Sequence, residues 1–193
     1  LPIDIQKEDI NPEELIGYDT HFEKEYSLSR IGTQVKSLLK DLTQSKRPCI
    51  LVGNGVRLSN AEEKLLELGR ALKIPVFPTW NAIDIVSSDY EYYGGRVGTY
   101  GGAGRNFGIQ NCDLLLTVGS RLSGRITGGD PNTFARGAKL YMVDVDAPAM
   151  QRKMQQRVFD ECILSDAGLF IDIFLGALDN MLNTQPLPDW SQW

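Results

Sequence analysis

Five short apolar runs set the narrowest limit on what this chain can fold into: CILVG (49–53), IPVFPT (74–79), DLLLTVG (113–119), KLYMVDVD (139–146) and DECILSD (160–166). None of them alternates apolar with polar residues through its centre. A strand with one wet face must alternate, whereas a strand apolar throughout needs cover on both faces. Between the runs the apolar period becomes helical. Ile31, Val35, Leu38, Leu39 and Leu42 recur at helical spacing from Leu28 and stop before Pro48. SNAEEKLLELGRAL (59–72) reads as a helix capped by Ser59 or Asn60, and Phe170, Ile173, Phe174, Ala177 and Leu178 mark another. Strands covered on both sides and alternating with helices predict an α/β fold. The expectation is a doubly wound, Rossmann-like, mostly parallel sheet of about six strands with helices on both faces.

The 193 residues suit one medium domain with tails, long enough to bury a sizeable core. LPIDI (1–5) is a further strand-like run, residues 6–27 are charged and broken by Pro12 and Gly17, and NTQPLPDWSQW turns proline-rich, which predicts a domain over residues 28–183. A net charge of −5 gives no general attraction to nucleic acid or to an anionic membrane. No apolar run reaches the roughly 20 residues of a membrane span, and the first residues lack the pattern of a signal peptide. A soluble protein is expected. Cys49, Cys112 and Cys162 are dispersed and odd in number, and read as small buried residues of a reducing compartment rather than a zinc site. His21 is the only histidine and sits in a charged stretch, so the usual base of a Ser/His or Cys/His arrangement is missing.

In doubly wound folds ligands bind beyond the carboxyl ends of the strands. Those ends here carry Gly53-Asn54-Gly55, Thr79-Trp80-Asn81, Gly119-Ser120-Arg121 and Asp144-Val145-Asp146. Between Tyr93 and Ala138 lie 12 of the 19 glycines and 5 arginines, Arg96, Arg105, Arg121, Arg125 and Arg136, with no lysine. One reading is a phosphate cradle, in which glycines expose backbone N–H groups and arginine forks grip phosphate oxygens. The other is irregular turns whose arginines are solvated or paired with carboxylates. Composition does not separate the two. GNGVRL at Gly53 keeps only two glycines of the dinucleotide fingerprint, with Leu58 at the third, which disfavours an ordinary NAD dehydrogenase. A lysine-bearing phosphate loop of the ATPase kind is absent.

The stretch GGRVGTYGGAGRNFGIQNCDLLLTVGSRLSGRITGGDPNTFARGAKLYMVDVD resembles the central domain of thiamine-diphosphate-dependent enzymes of the acetolactate synthase group. Gly95 to Gly101 stand where that family has G-x-x-G-M-H-G, Asn106 to Asp113 where it has an N-x-A-V helix, and Val118 to Gly128 where it has V-G-A-R-F-D-D-R-V-T-G. Ala138 to Asp146 match A-K-x-x-x-I-D-I-D, and Ser165-Asp166 match a later G-D. The resemblance runs from about Leu28 to Asn183. LPIDIQKED resembles the last strand of the family's preceding pyrimidine-binding domain (1–9), joined by a linker (10–27), and the tail (184–193) resembles the linker into its diphosphate-binding domain.

The resemblance implies the middle third of a transferase that condenses a decarboxylated 2-oxo acid such as pyruvate with a second one, as in branched-chain amino acid biosynthesis. Thiamine diphosphate and Mg2+ would serve the full-length parent only, because neither the family's catalytic glutamate nor its G-D-G…N motif occurs here. The chain alone is expected to be inactive, and no catalytic or metal-ligating residue is assigned in it. Its implied partners are the flanking domains of the same chain, in a cytoplasmic homodimer or homotetramer without nucleic acid or membrane. In the acetolactate synthase branch this domain holds FAD without net redox chemistry, while other branches hold ADP or nothing; the alternatives for this chain are an ADP-binding domain of a related thiamine-diphosphate decarboxylase and a degenerate middle domain that only braces its neighbours. Carried over position by position, the nucleotide would meet Gly53, Asn54, Gly55, Thr79, Trp80, Val97, Gly98, Thr99, Tyr100, Gly101, Gly119, Ser120, Arg121, Arg125, Asp144, Val145, Asp166 and Ala167. Ser123 and Gly124 replace two family aspartates, Tyr100 a histidine, Thr99 a methionine and Ser120 the commoner alanine. The nucleotide end is therefore better matched than the flavin end, and a 2-oxo acid other than pyruvate stays open. Sirtuin deacylases share the fold, but they need a catalytic histidine and usually four zinc-binding cysteines.

Overall fold

A computed structural model describes residues 2–17, 26–155 and 159–193. His21 lies outside the described residues. In chain order the helices are α1 (Ile3–Gln6), α2 (Leu28–Gln44), α3 (Gly55–Leu58), α4 (Glu62–Leu72), α5 (Ala103–Asn111), α6 (Gly124–Thr127), α7 (Ala147–Gln155) and α8 (Ala167–Leu182). The strands are β1 (Pro48–Val52), β2 (Val76–Pro78), β3 (Leu114–Val118), β4 (Lys139–Asp144) and β5 (Glu161–Leu164). They form one sheet in the order β2-β1-β3-β4-β5, and every pairing is parallel. Each apolar run of the sequence became a strand. A single-residue bridge from Val76 to Tyr93 lies along the outer edge of β2, so among the described residues five strands and a bridge stand where about six strands were expected.

β1 and β3 are buried at every residue because each face of the sheet has its own helical layer. Ile50, Val52, Leu116 and Val118 point to a core shared with Ile31, Val35, Leu38 and Leu42 of α2, Leu65 and Leu68 of α4, and Phe170 and Phe174 of α8. Their neighbours Cys49, Leu51 and Leu115 point the other way, to Ile109 of α5 and Met150 of α7. The period of 2 along the strand divides one sequence between two cores. Cys49 and Cys112 are buried thiols, Cys162 is half-buried, and burial pushes the Cys162 thiol up to about 11.

Three local expectations fail, each for a visible reason. The described part of LPIDI, residues 2–5, is not a strand: Gln6 N–H donates to Pro2 C=O at 3.1 Å and Lys7 N–H to Asp4 C=O at 3.2 Å, closing the helical turn α1. With no described strand beside it, the segment satisfies its own backbone, and Ile3 and Ile5 stay exposed. Neither Ser59 nor Asn60 caps α4. Ala61 holds that position without a side-chain bond, Asn60 makes the turn from α3 with φ of 52°, and Ser59 bonds across to α8. Finally, α8 ends at Leu182 as the sequence suggests, yet the tail docks back. Trp190 is buried in the core, its Nε1 donating to Ser45 C=O at 2.9 Å, and Trp193 Nε1 donates to Pro48 C=O at 3.2 Å.

A candidate nucleotide cleft

The ends of β2, β1 and β3 lie level, Val52 being in register with both Pro78 and Val118. Just beyond them a cleft of ≈ 290 Å³ opens between the loops that follow these strands and the 97–100 loop. The chain passes from β1 to β2 on one side and later adds β3 on the other, which makes this the point where strand order reverses. Gly53, Asn54, Thr79, Trp80, Val97, Thr99, Tyr100, Gly119, Ser120, Arg121 and Arg125 line it, all of them expected from the sequence. Asn81, Leu122, Ser123 and Ile126 also line it and were not among the positions expected to meet the nucleotide. Gly98 lines a smaller cavity that shares Val97, Thr99 and Arg125 as a wall. Gly55 and Gly101 lie behind these surfaces. Asp144, Val145, Asp166 and Ala167 lie at the ends of β4 and β5, outside the cleft lining.

The glycines have a different role from the one their number suggested. Gly53 N–H donates to Val118 C=O at 2.9 Å, Gly55 N–H to Gly119 C=O at 3.1 Å and Gly119 N–H to Val143 C=O at 2.9 Å. A Cβ on Gly53 would lie 2.1 Å from the Gly119 carbonyl oxygen, and one on Gly55 would lie 2.6 Å from Gly119 Cα. These residues are glycine because two loops touch backbone to backbone, and their N–H groups are already occupied. The cleft floor is rigid but donates nothing from these three positions.

The 97–101 loop is clamped in the same way. The Asn106 carboxamide from α5 accepts from Gly98 N–H at 2.8 Å and donates to Gly98 C=O at 3.0 Å. Thr99 then donates twice to the Arg125 carbonyl, from N–H at 2.9 Å and from Oγ1 at 3.1 Å, tying this loop to the arginine loop. At the mouth, Trp80 (64% exposed) and Tyr100 (73%) meet at 5.4 Å between ring centroids.

Arg121 and Arg125 are exposed and, among the described residues, form no ion pair. Nearby Arg57 shows the contrast, since it reaches Asp84 at 2.7 Å and Glu62 at 3.8 Å. Among the described residues the carboxylate-paired reading therefore does not hold for the two cleft arginines. The other end of the strand row is acidic. Asp166 Oδ1 caps α8 through Gly168 N–H at 2.9 Å and Leu169 N–H at 3.1 Å, and accepts from Ser59 Oγ at 2.6 Å. Asp144 Oδ1 accepts from Asp146 N–H at 3.0 Å, and Asp146 Oδ1 accepts from Ala149 N–H at 2.9 Å. Tyr26, absent from the sequence expectations, lies in this field: burial, then the negative charges of Asp166 and Asp144, raise its pKa. A solitary tyrosine before a helix cap gave no signal of that placement.

This geometry can be set against known proteins. Residues 35–173 match the family model described as the thiamine pyrophosphate enzyme central domain. The chain belongs to that family. It is 34% identical over 186 residues to a probable acetolactate synthase large subunit of Methanococcus aeolicus, covering 95% of this chain and 29% of that protein. It is also 34% identical over 159 residues to the acetolactate synthase isozyme 2 large subunit of Escherichia coli, covering 82% of this chain and 27% of that protein. The probable acetolactate synthase large subunit of Methanocaldococcus jannaschii is 35% identical over 145 residues, covering 75% and 24%. The chain therefore spans less than a third of the length of these relatives. As a central domain of the thiamine pyrophosphate enzymes, it is acetolactate-synthase-like along most of its length. No group of described residues could hold a metal ion, and no described helix is long and apolar enough to cross a membrane.

Proposed function

We propose that the cleft over β1 and β3 is the diphosphate end of an FAD site in a larger thiamine-diphosphate enzyme that decarboxylates a 2-oxo acid such as pyruvate and joins it to a second. The observation that carries this reading is the pair of guanidinium groups, Arg121 and Arg125, that form no ion pair among the described residues and stand at the strand-order switch of an otherwise acidic chain. The residues fit the group in two respects. Arginine forks supply the phosphate donors that the occupied glycine amides do not. The acidic end at Asp144 and Asp166 repels phosphate but can accept hydrogen bonds from ribose hydroxyls and a base amine. At ≈ 290 Å³ the cleft is near the lower limit of ligand pockets, about 300 Å³, so it takes part of a dinucleotide and the remainder runs along β4 and β5.

In this reading FAD braces the loops and exchanges no electrons. Arg121 and Arg125 hold its diphosphate, Trp80 and Tyr100 flank a ring, and Thr99 keeps the arginine loop in place. Thiamine diphosphate and Mg2+ belong to flanking domains of the same chain, reached through residues 10–27 and 184–193. The whole enzyme assembles as a cytoplasmic homodimer or homotetramer.

The test is calorimetric titration with FAD and with ADP. Arg121→Ala or Arg125→Ala removes bonds worth about 1.5–3 kcal/mol, or roughly 10- to 150-fold in affinity, with unfolding free energy within about 0.5 kcal/mol of the parent. Arginine to lysine restores only part of the loss, because the planar fork is gone. Undiminished affinity in both alanine variants refutes the clamp. FAD bound far more tightly than ADP supports the acetolactate-synthase-like assignment, equal affinity favours an ADP-binding branch, and binding of neither leaves a structural brace.

A further inference from the structure

Leu122 lies between the two cleft-lining residues Arg121 and Ser123, with φ of 45° and its side chain fully buried. A branched, non-glycine residue in the left-handed region stays there only when its surroundings hold it. Its side chain is fixed in the core beside Phe134 and Met150. Its carbonyl accepts from Lys153 Nζ at 3.1 Å, across from the last turn of α7. Lys153 is half-buried and, among the described residues, has no carboxylate partner. At the other end of the same segment, Thr99 holds the Arg125 carbonyl with two bonds. Residues 121–125 are thus pinned at two carbonyls, those of Leu122 and Arg125. Only the pin from α7 carries a charge.

We propose that Lys153 is the positioning residue of the arginine loop: by holding the Leu122 carbonyl it fixes the left-handed turn that aims Arg121 and Arg125 into the cleft. Its removal therefore weakens anion binding by releasing the turn that presents the two guanidinium groups. The affinity arm of the test rests on the nucleotide reading above. The exchange arm does not.

Lys153→Met keeps most of the side-chain length without a donor, and Lys153→Arg restores a charged donor. Hydrogen exchange followed by mass spectrometry reads the loop directly, because Ile126 N–H donates to Ser123 C=O at 2.8 Å and Gly128 N–H to Gly124 C=O at 2.9 Å. Lys153→Met is expected to speed exchange over residues 121–128 several-fold while peptides from β1 and α2 are unchanged, with Lys153→Arg restoring most of the protection. ADP affinity should fall roughly 10-fold in Lys153→Met, and the loss should not add to that of Arg121→Ala. Exchange that is unchanged in Lys153→Met overturns the proposal whatever ADP does. A loss of affinity fully additive with Arg121→Ala overturns it as well, since Lys153 would then act independently of the loop. If the parent chain binds neither ADP nor FAD, the nucleotide reading fails and the exchange result alone decides the role of Lys153.

Discussion

Where the strands begin, half-buried carboxylates are matched by donors; where they finish, two guanidinium groups around an open cleft have no carboxylate partner among the described residues. At the first end Asp113 accepts from the Ser45 hydroxyl and from the N–H groups of Lys46 at 2.7 Å and Arg47 at 2.8 Å. Asp41 likewise accepts from the Tyr141 hydroxyl and from Lys139 Nζ at 2.7 Å, and the indoles of Trp190 and Trp193 satisfy the Ser45 and Pro48 carbonyls. At the second end Arg121 and Arg125 lack partners among the described residues, Trp80 and Tyr100 are exposed, and Leu122 is held in a strained conformation. The difference teaches where to look for function in a parallel sheet: satisfied polar groups hold the fold, and unsatisfied ones await something else.

The sharpest way to break this division is to damage the matched end and ask whether the open one notices. Trp190→Ala removes a buried indole and its bond to the Ser45 carbonyl. A cost of about 3–5 kcal/mol is expected in urea unfolding. ADP affinity of the folded fraction should stay within about twofold of the parent, because the tail docks at the far end of the strands. A matching loss of affinity would show that the two ends are not separable.

A smaller effect comes from acid. Burial alone would raise the Asp113 pKa, but the bonds from Ser45, Lys46 and Arg47 outweigh it and hold the group below its ordinary value. Burial of Asp41 is outweighed in the same way by Lys139 and Tyr141, and the Tyr141 hydroxyl, itself buried and bonded to Asp41, is pushed up to about 12. A depressed carboxyl stabilises the fold above its unfolded pKa, near 4, and that contribution disappears as pH falls through the folded value. Stability should therefore drop below about pH 4. Asp113→Asn should cost about 1–3 kcal/mol at pH 7 and flatten the acid limb of a plot of unfolding free energy against pH. An acid limb of unchanged steepness would remove Asp113 from the account.

Much of the fold was legible because burial on both faces leaves a direct trace: CILV and LLLTV are apolar at or near every position, and each is buried at every residue. The strand ends were legible for the same reason, since the small and polar residues begin where the buried runs stop. What escaped was decided by contacts between distant parts of the chain. Gly53 and Gly55 stood out as strand-end glycines, but the reason they need hydrogen at Cα is Gly119, more than 60 residues away in sequence. Ser59 looked like a helix cap and instead joins α3 to α8, a pairing no local pattern encodes. LPIDI had the composition of a strand but, among the described residues, no strand to pair with. Lys153 lay in an ordinary polar helix, and only the fold brings it to the Leu122 carbonyl.

The least costly change probes the boundary between the two ends. Thr117 sits one residue before the end of β3, is fully buried, and its Oγ1 finds no hydrogen-bond partner among the described residues. Its neighbours in register, Leu51 and Met142, are apolar, so nothing in the adjacent strands compensates the hydroxyl. An unpaired buried hydroxyl costs about 1–3 kcal/mol in mutational comparisons, and valine preserves its branched shape without that oxygen. Thr117→Val should therefore be neutral or stabilising by up to about 1 kcal/mol in urea unfolding, with ADP and FAD affinities unchanged because the side chain lies beneath the cleft and does not line it. If valine instead destabilised the protein, the hydroxyl would have a partner in solution, such as a buried water, and the unsatisfied character assigned to this end of the sheet would stop at the cleft surface. If nucleotide affinity fell while stability held, the floor beneath Leu122 would belong to the binding site as much as the arginines above it.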